Sequence, residues 1–135
     1  MAKRFVFTYL FCDDLPAMKR FYGGVLGLDE VWDDGATLAY RIGDHQLSIT
    51  VDARARPAVG GFAIQPGWSG GTEPSTSWSL ECDPADFRQV VAAAQEAGSR
   101  AYRTEPRWVG YWSYPLLDPM GNTVEVTCPA ADLHG

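Results

Sequence analysis

The sequence predicts an α+β fold made of two β-α-β-β-β modules, and three observations carry that prediction. Apolar residues recur with strand-like and then helix-like period, in the same order, once in each half of the chain. The halves also align residue by residue: Cys12-Asp13 matches Cys82-Asp83 at an offset of 70, and residues 43–50 match 120–127 at an offset of 77. Finally, 135 residues with 46% apolar content supply one domain with a sizeable core, and too little chain for two independent ones. The expected organisation is a single domain over 1–135, with module 1 at 5–51, a linker at 52–75 and module 2 at 76–127.

Residues 5–11 are apolar or aromatic apart from Thr8, as in a strand buried on both faces. Asp13 and Asp14 follow as candidate N-caps, and Pro16 suits a first helical turn. Leu15, Met18, Phe21, Tyr22 and Val25 fall at helical spacing, so a helix over 15–26 presents one apolar stripe. Gly27 ends it, and Gly23 and Gly24 allow it to fray a turn earlier. Strands are expected at 28–32, 36–42 and 45–51, separated by the turn pairs Asp34-Gly35 and Gly43-Asp44. In the second half a strand at 76–82 leads through Asp83-Pro84 into a helix over 84–97, closed by Gly98. Strands at 101–104, 111–117 and 122–127 complete the set, the last two joined by the turn Asp118-Pro119-Met120-Gly121. The glycine-rich linker is long for a connection within one domain, and such loops usually carry function or motion.

Composition removes several function classes. Seventeen acidic residues against eleven basic give a formal charge of −6, and no basic patch is present for nucleic acid to use. The longest apolar runs are a few residues, too short to span a membrane, and no leader-like pattern follows Lys3 and Arg4. Three cysteines, Cys12, Cys82 and Cys128, are an odd number at wide spacing. That argues against a disulfide framework and for the reducing cytoplasm.

Alternation along the strands sorts side chains by sheet face. Leu10, Leu80, Leu47, Val124, Ile49 and Val126 form one set, expected to pack on the helices. Ser48, Thr50, Ser77, Ser79, Glu125 and Thr127 form the other, which points to a wet concave cavity. Phe7 and Tyr9 share that cavity parity in the first strand.

Certain stretches resemble a known family. Asp14-Leu15, the run from Phe21 to Leu28 (FYGGVLGL) and the run from Asp118 to Glu125 (DPMGNTVE) are similar to the glyoxalase/bleomycin resistance/dioxygenase superfamily, the vicinal oxygen chelate proteins. With the elements between them, they cover the chain from about Phe5 to Thr127. The resemblance implies two modules whose curled mixed sheets surround a shared cavity, and a homodimer. Many members hold a divalent metal through the first and last strand of each module, and those positions fall here on Phe7, Ser48, Ser77 and Glu125. Phenylalanine offers no donor, and serine hydroxyls are poor ligands for zinc, iron or nickel. His45, beside a turn, and His134, in the tail, are the only histidines. No metal and no other cofactor is therefore expected.

Glu125 is the sharpest single candidate. Enclosed among apolar groups, its carboxyl would rise in pKa and act as a general base or pair with a cationic ligand. The plainer reading is that it hydrogen-bonds neighbouring hydroxyls. Five tryptophans are many for this length. Trp68, Trp108 and Trp112 fall in or beside loops, where they suit ligand or dimer contact, whereas Trp32 and Trp78 read as core. Cys12 and Cys82 precede helix caps but lack a partnering histidine, so buried structural thiols are expected. The expected site is a metal-free pocket lined by Phe7, Tyr9, Ser48, Thr50, Ser77, Ser79 and Glu125, with Trp68, Trp108 and Trp112 at its mouth. The expected function is metal-independent binding of a small aromatic or cationic, antibiotic-like compound. The alternatives are a lyase or isomerase with Glu125 as base, and an interaction module with a vestigial cavity.

Overall fold

The computed structural model describes residues 2–65 and 70–131, so Trp68 and His134 lie outside it. The chain divides into two compact units, Met1–Pro57 and Ala58–Gly135. The first runs β1 (Phe7–Cys12), α1 (Leu15–Lys19), a π-helix (Arg20–Val25), β2 (Asp29–Asp33), β3 (Thr37–Ile42) and β4 (His45–Val51). The second runs β5 (Ser77–Glu81), α2 (Pro84–Ala97), β6 (Arg107–Trp108), β7 (Trp112–Leu117) and β8 (Thr123–Cys128). Each has one four-stranded sheet, in the orders β1-β4-β3-β2 and β5-β8-β7-β6. In each the first strand is parallel to the last and the remaining pairs are antiparallel. This is the two-module α+β architecture of the vicinal oxygen chelate fold.

Local chemistry explains the helix boundaries. The Asp14 carboxylate accepts from the Ala17 N–H at 3.0 Å and that of Asp83 from Asp86 N–H at 2.8 Å, each followed by proline in the first turn. Gly98 closes α2 in the left-handed conformation at φ 69°. The helix expected over 15–26 keeps its span but changes type halfway. At its end the Leu26 N–H reaches back five residues to the Phe21 carbonyl at 2.9 Å. The adjacent pair Gly23-Gly24, poor in helix propensity, lets the backbone widen there.

Helix stripes and sheet faces interlock as the alternation requires. In the first unit Met18, Tyr22, Leu38, Tyr40, Leu47 and Ile49 are buried, with α1 against β3 and β4. In the second unit Phe87, Val90, Ala94, Leu116, Val124 and Val126 are buried, with α2 against β8. No described helix is long and apolar enough to cross a membrane.

Three expectations need correction, and the first is that β1 is buried on both faces: Phe7, Tyr9 and Phe11 are exposed. Residues 101–104 do not form a strand: Ala101 makes one isolated bridge to Leu116, and the edge strand is Arg107–Trp108 instead. Around that bridge the Tyr102 N–H donates to the Pro115 carbonyl at 3.0 Å and the Leu117 N–H to the Arg100 carbonyl at 2.9 Å, so the stretch touches β7 without extending into a strand. The third concerns His45, which the sequence shows only as a residue beside a turn and the structure ties into the sheet. Its Nδ1–H donates to the Phe5 carbonyl at 2.9 Å, and its Nε2 lies 2.7 Å from the Thr8 hydroxyl, tying β1 to the start of β4.

The linker is not an idle tether either. Residues from Ala58 onward belong to the second unit. The Ala58 N–H donates to the Met120 carbonyl at 2.9 Å, and the Ala63 N–H to Thr123 Oγ1 at 2.8 Å. Bridges Ala63↔Glu73 and Gln65↔Gly70 fold the segment on itself. Gly71 sits at φ +84°, and a Cβ there would lie 2.1 Å from the Ala63 carbonyl oxygen, so only glycine fits.

Candidate functional site

The first unit presents an aromatic sheet face. Register places Phe7 beside Gln46, Tyr9 beside Ser48 and Phe11 beside Thr50, all on the side away from α1. From β3, Arg41, Ala39 and Thr37 continue the same rows, and a bulge in β2 brings Trp32 opposite Ala39. Phe7, Tyr9, Phe11 and Trp32 are 46%, 64%, 55% and 57% exposed. The Phe7 and Tyr9 rings stand 5.9 Å apart. Between the rows the polar groups are tied together: Gln46 Nε2 donates to Ser48 Oγ at 3.2 Å, and the Thr37 and Thr50 hydroxyls lie 3.0 Å apart. Ser48 is buried and Thr50 half-buried. Such a surface combines flat apolar area with a few hydroxyls, the usual division of labour in a small-molecule site.

The corresponding face of the second unit is polar and partly enclosed. Ser77 pairs with Thr123, Ser79 with Glu125, and Pro115 with Glu125 from the other side. Glu125 is only 4% exposed, yet it is a carboxyl group. Its Oε2 accepts from the Ser113 hydroxyl at 2.6 Å and from the Tyr111 hydroxyl at 3.1 Å. Both bonds fall on one oxygen, and Oε1 receives none from the described residues. Burial, and then the negative charge of Glu125, hold the Tyr111 hydroxyl above its usual pKa, so it stays a proton donor to that carboxylate. No described residue forms an ion pair with Glu125. A buried carboxylate with two neutral donors and no cation is costly, and a cationic partner would lower that cost.

The flanks of this face differ from one another. Ser79 is exposed, while Ser77 is half-buried and takes a hydrogen bond from Gln65 Nε2 of the folded-back linker. Trp112 pairs with Cys128 across β7 and β8, which puts it on the helix side with Val126 and Tyr114 rather than beside Glu125. Trp108 lies opposite Trp112, and their rings meet edge to face at 5.7 Å. Trp112, expected with Trp108 at the pocket mouth, is thus one residue out of phase with Ser113 and Glu125 on the strand. The residues that do reach Glu125, Ser113 and Tyr111, were not singled out from the sequence. Strand alternation would have found Ser113, two residues before Pro115 on the Glu125 row. Trp32, expected in the core, lies open on the aromatic face.

The cysteines carry no reactive signature. Cys12 and Cys128 are buried and Cys82 half-buried; burial, helped by Asp86 and Asp83, pushes the Cys82 thiol up to about 11.

A divalent metal does not fit the donor set. Of the four positions that the family resemblance implies as metal ligands, Phe7 has no donor, Ser48 and Ser77 offer only hydroxyls, and Glu125 alone is a usual ligand. Among the described residues, no cluster of three or more His, Cys, Asp or Glu could hold a metal.

Comparison with known proteins agrees with this architecture. The model of the glyoxalase-like domain family matches residues 5–127. A glyoxalase/dioxygenase from Nostoc punctiforme superposes with a TM-score of 0.74 at 20% identity, over 93% of this chain and 90% of that one. A fosfomycin resistance protein from Mesorhizobium loti gives 0.67 at 18%, over 97% and 95%. A lactoylglutathione lyase from Agrobacterium tumefaciens gives 0.62 at 23%, over 94% of each. No curated protein matches the sequence significantly.

Proposed function

The chain belongs to the glyoxalase-like domain family, and from that premise we propose that it is a metal-independent binding protein for a small aromatic compound bearing a cationic group. The observation that carries this reading is the exposed aromatic row Phe7, Tyr9, Phe11 and Trp32, where a metalloenzyme would need a ligand at position 7. Aromatic faces of this kind bind flat and cationic ligands by stacking and cation–π attraction, on the order of 0.5–2 kcal/mol per cation contact. Within the second unit, Glu125 is buried and without a cationic partner among the described residues, which separately favours a cation on that unit's own face. In this reading the protein sequesters an antibiotic-like compound. A homodimer belongs to the same proposal, since the sheets leave edge strands that a partner would cover.

A second reading makes the protein a lyase or isomerase with Glu125 as general base. One observation favours it: both hydrogen bonds reach Oε2, which leaves Oε1 able to take a proton. A titration panel of planar cations and their neutral isosteres, followed by tryptophan fluorescence, tests the main reading. Saturable quenching that prefers the cations is the expected result. Stoichiometric iron, zinc, nickel or manganese in purified protein would overturn it.

A further inference from the structure

We propose that Glu125 receives a primary ammonium group on Oε1, with the Ser79 hydroxyl as a second acceptor and Tyr111 and Ser113 as positioning residues, so that the second unit selects amines over quaternary cations. This deepens the reading above and rests on it, because it takes the ligand to be cationic.

The carboxylate is held asymmetrically. Buried Ser113 donates to Oε2 at 2.6 Å and half-buried Tyr111 donates to the same oxygen at 3.1 Å. A hydroxyl has one proton to give, so each is committed to Oε2 and neither serves Oε1. Oε1 accepts from none of the described residues, yet it is not fully covered, so the 4% exposure that Glu125 retains includes that oxygen. The opening lies toward β5. Thr123 and Thr127 on β8 are buried, and so is Pro115 on the β7 side. Ser79, the register partner of Glu125 on β5, is exposed, and its hydroxyl bonds to no described residue. Two acceptors are thus rooted on neighbouring strands about 5 Å apart, with a narrow approach over one of them.

A primary ammonium matches this pair in number and kind. It carries three N–H donors, of which one serves Oε1, one serves Ser79 Oγ and the third stays with water. A quaternary ammonium has no N–H to give, and its methyl shell holds the charge away from a carboxylate seated below the surface. The charge of the face agrees. Register sets Glu81 there beside Thr127, and Arg107 beside Ser113. Arg107 is exposed, stands two strands from Glu125 and forms no ion pair with any described residue. Two carboxylates against one guanidinium leave the described face with a negative surplus, which draws a cation.

The probes are phenethylammonium, its N,N,N-trimethyl counterpart and 2-phenylethanol, titrated into the intact protein and followed by the Ser79 and Glu125 amide resonances. Phenethylammonium should shift both resonances saturably and bind about ten-fold tighter than the trimethyl compound, the scale of one charge-assisted hydrogen bond. Ser79→Ala, a surface change, should weaken phenethylammonium about three-fold and leave the trimethyl compound unaffected. Tyr111→Phe frees Oε2 and lets the carboxylate turn, so the preference for the primary amine should shrink while the circular dichroism stays native. A preference that survives both variants unchanged would overturn the proposal, as would the absence of any saturable shift. Equal binding of the two cations, both tighter than 2-phenylethanol, would overturn it and leave the cationic reading standing. No preference for either cation over the alcohol would overturn both.

Discussion

On the side away from its helix, the first sheet turns Phe7, Tyr9, Phe11 and Trp32 into the open, while the second carries Ser77, Ser79, Ser113 and Glu125. Strand order and direction are the same in both, and Phe7 and Ser77 are equivalent at the offset of 70. What differs is cover. The second sheet keeps residues 58–65 and 70–76 in its own unit, bonded to Met120, Thr123 and Ser77, and most of its polar row is shielded. The first sheet has no such segment in its unit, and its row is aromatic. Duplicated backbones thus support opposite chemistries, because side-chain alternation fixes which face a residue takes but not what that residue is.

The comparison can be broken most forcefully at Gly71. Gly71→Ala would drive a Cβ against the Ala63 carbonyl at positive φ, and denaturant unfolding should show a loss of about 3 kcal/mol or more. A loss below about 0.5 kcal/mol would mean that the segment does not hold the second face closed.

Glu125→Gln comes next. It should weaken a cationic ligand by about 2–3 kcal/mol, measured by calorimetry, and a neutral ligand of the same shape far less. Equal losses would remove the electrostatic role, and no loss for either would return Glu125 to a structural one. Ser113→Ala removes the 2.6 Å donor and should lower stability by about 1–2 kcal/mol, read by thermal melting.

On the aromatic face the pattern should reverse, with binding affected and stability spared. Tyr9→Ala, at 64% exposure, should change unfolding free energy by under about 0.5 kcal/mol and weaken an aromatic ligand by about 1 kcal/mol. A large stability loss would show that the row is packed.

The smallest effect belongs to Asp52, whose carboxyl is held down at about 2, first by the Arg54 guanidinium and then by the Arg54 backbone N–H. Its folded pKa lies below the unfolded value, so its contribution is present above about pH 4 and fades as pH falls toward 2. The pair is exposed and screened, so acid titration of Asp52→Asn should differ only slightly from the parent over that window.

Much of this was legible in the sequence. Periodicity and caps located both helices and seven of the eight strands, because Asp14, Asp83, Gly98 and the turn glycines act locally. The misses share a cause, which is dependence on distant partners. Nothing local in 101–108 says which of its short pieces will extend into a strand beside β7. The π-helix needed the packing of Tyr22 and Tyr40 to reveal what Gly23-Gly24 permits. Trp32 looked like core because its bulge, not its composition, turns it outward. Glu125 was found by its place in the repeat, but Tyr111, just ahead of β7, reaches it by a path no spacing rule describes.

The bond from Ala63 to Thr123 has a consequence for anyone cutting the gene. By homology between halves, the natural excision point for the second module is Thr76. A fragment that starts there would strip Thr123 of its donor and Ser77 of Gln65, opening the row that holds Glu125. The fragment that preserves these bonds begins at or before Ala58, whose own N–H secures the Met120 carbonyl. Splice sites, split-protein halves and permuted termini therefore belong just before Ala58, eighteen residues upstream of Thr76, where the repeat alone would place them.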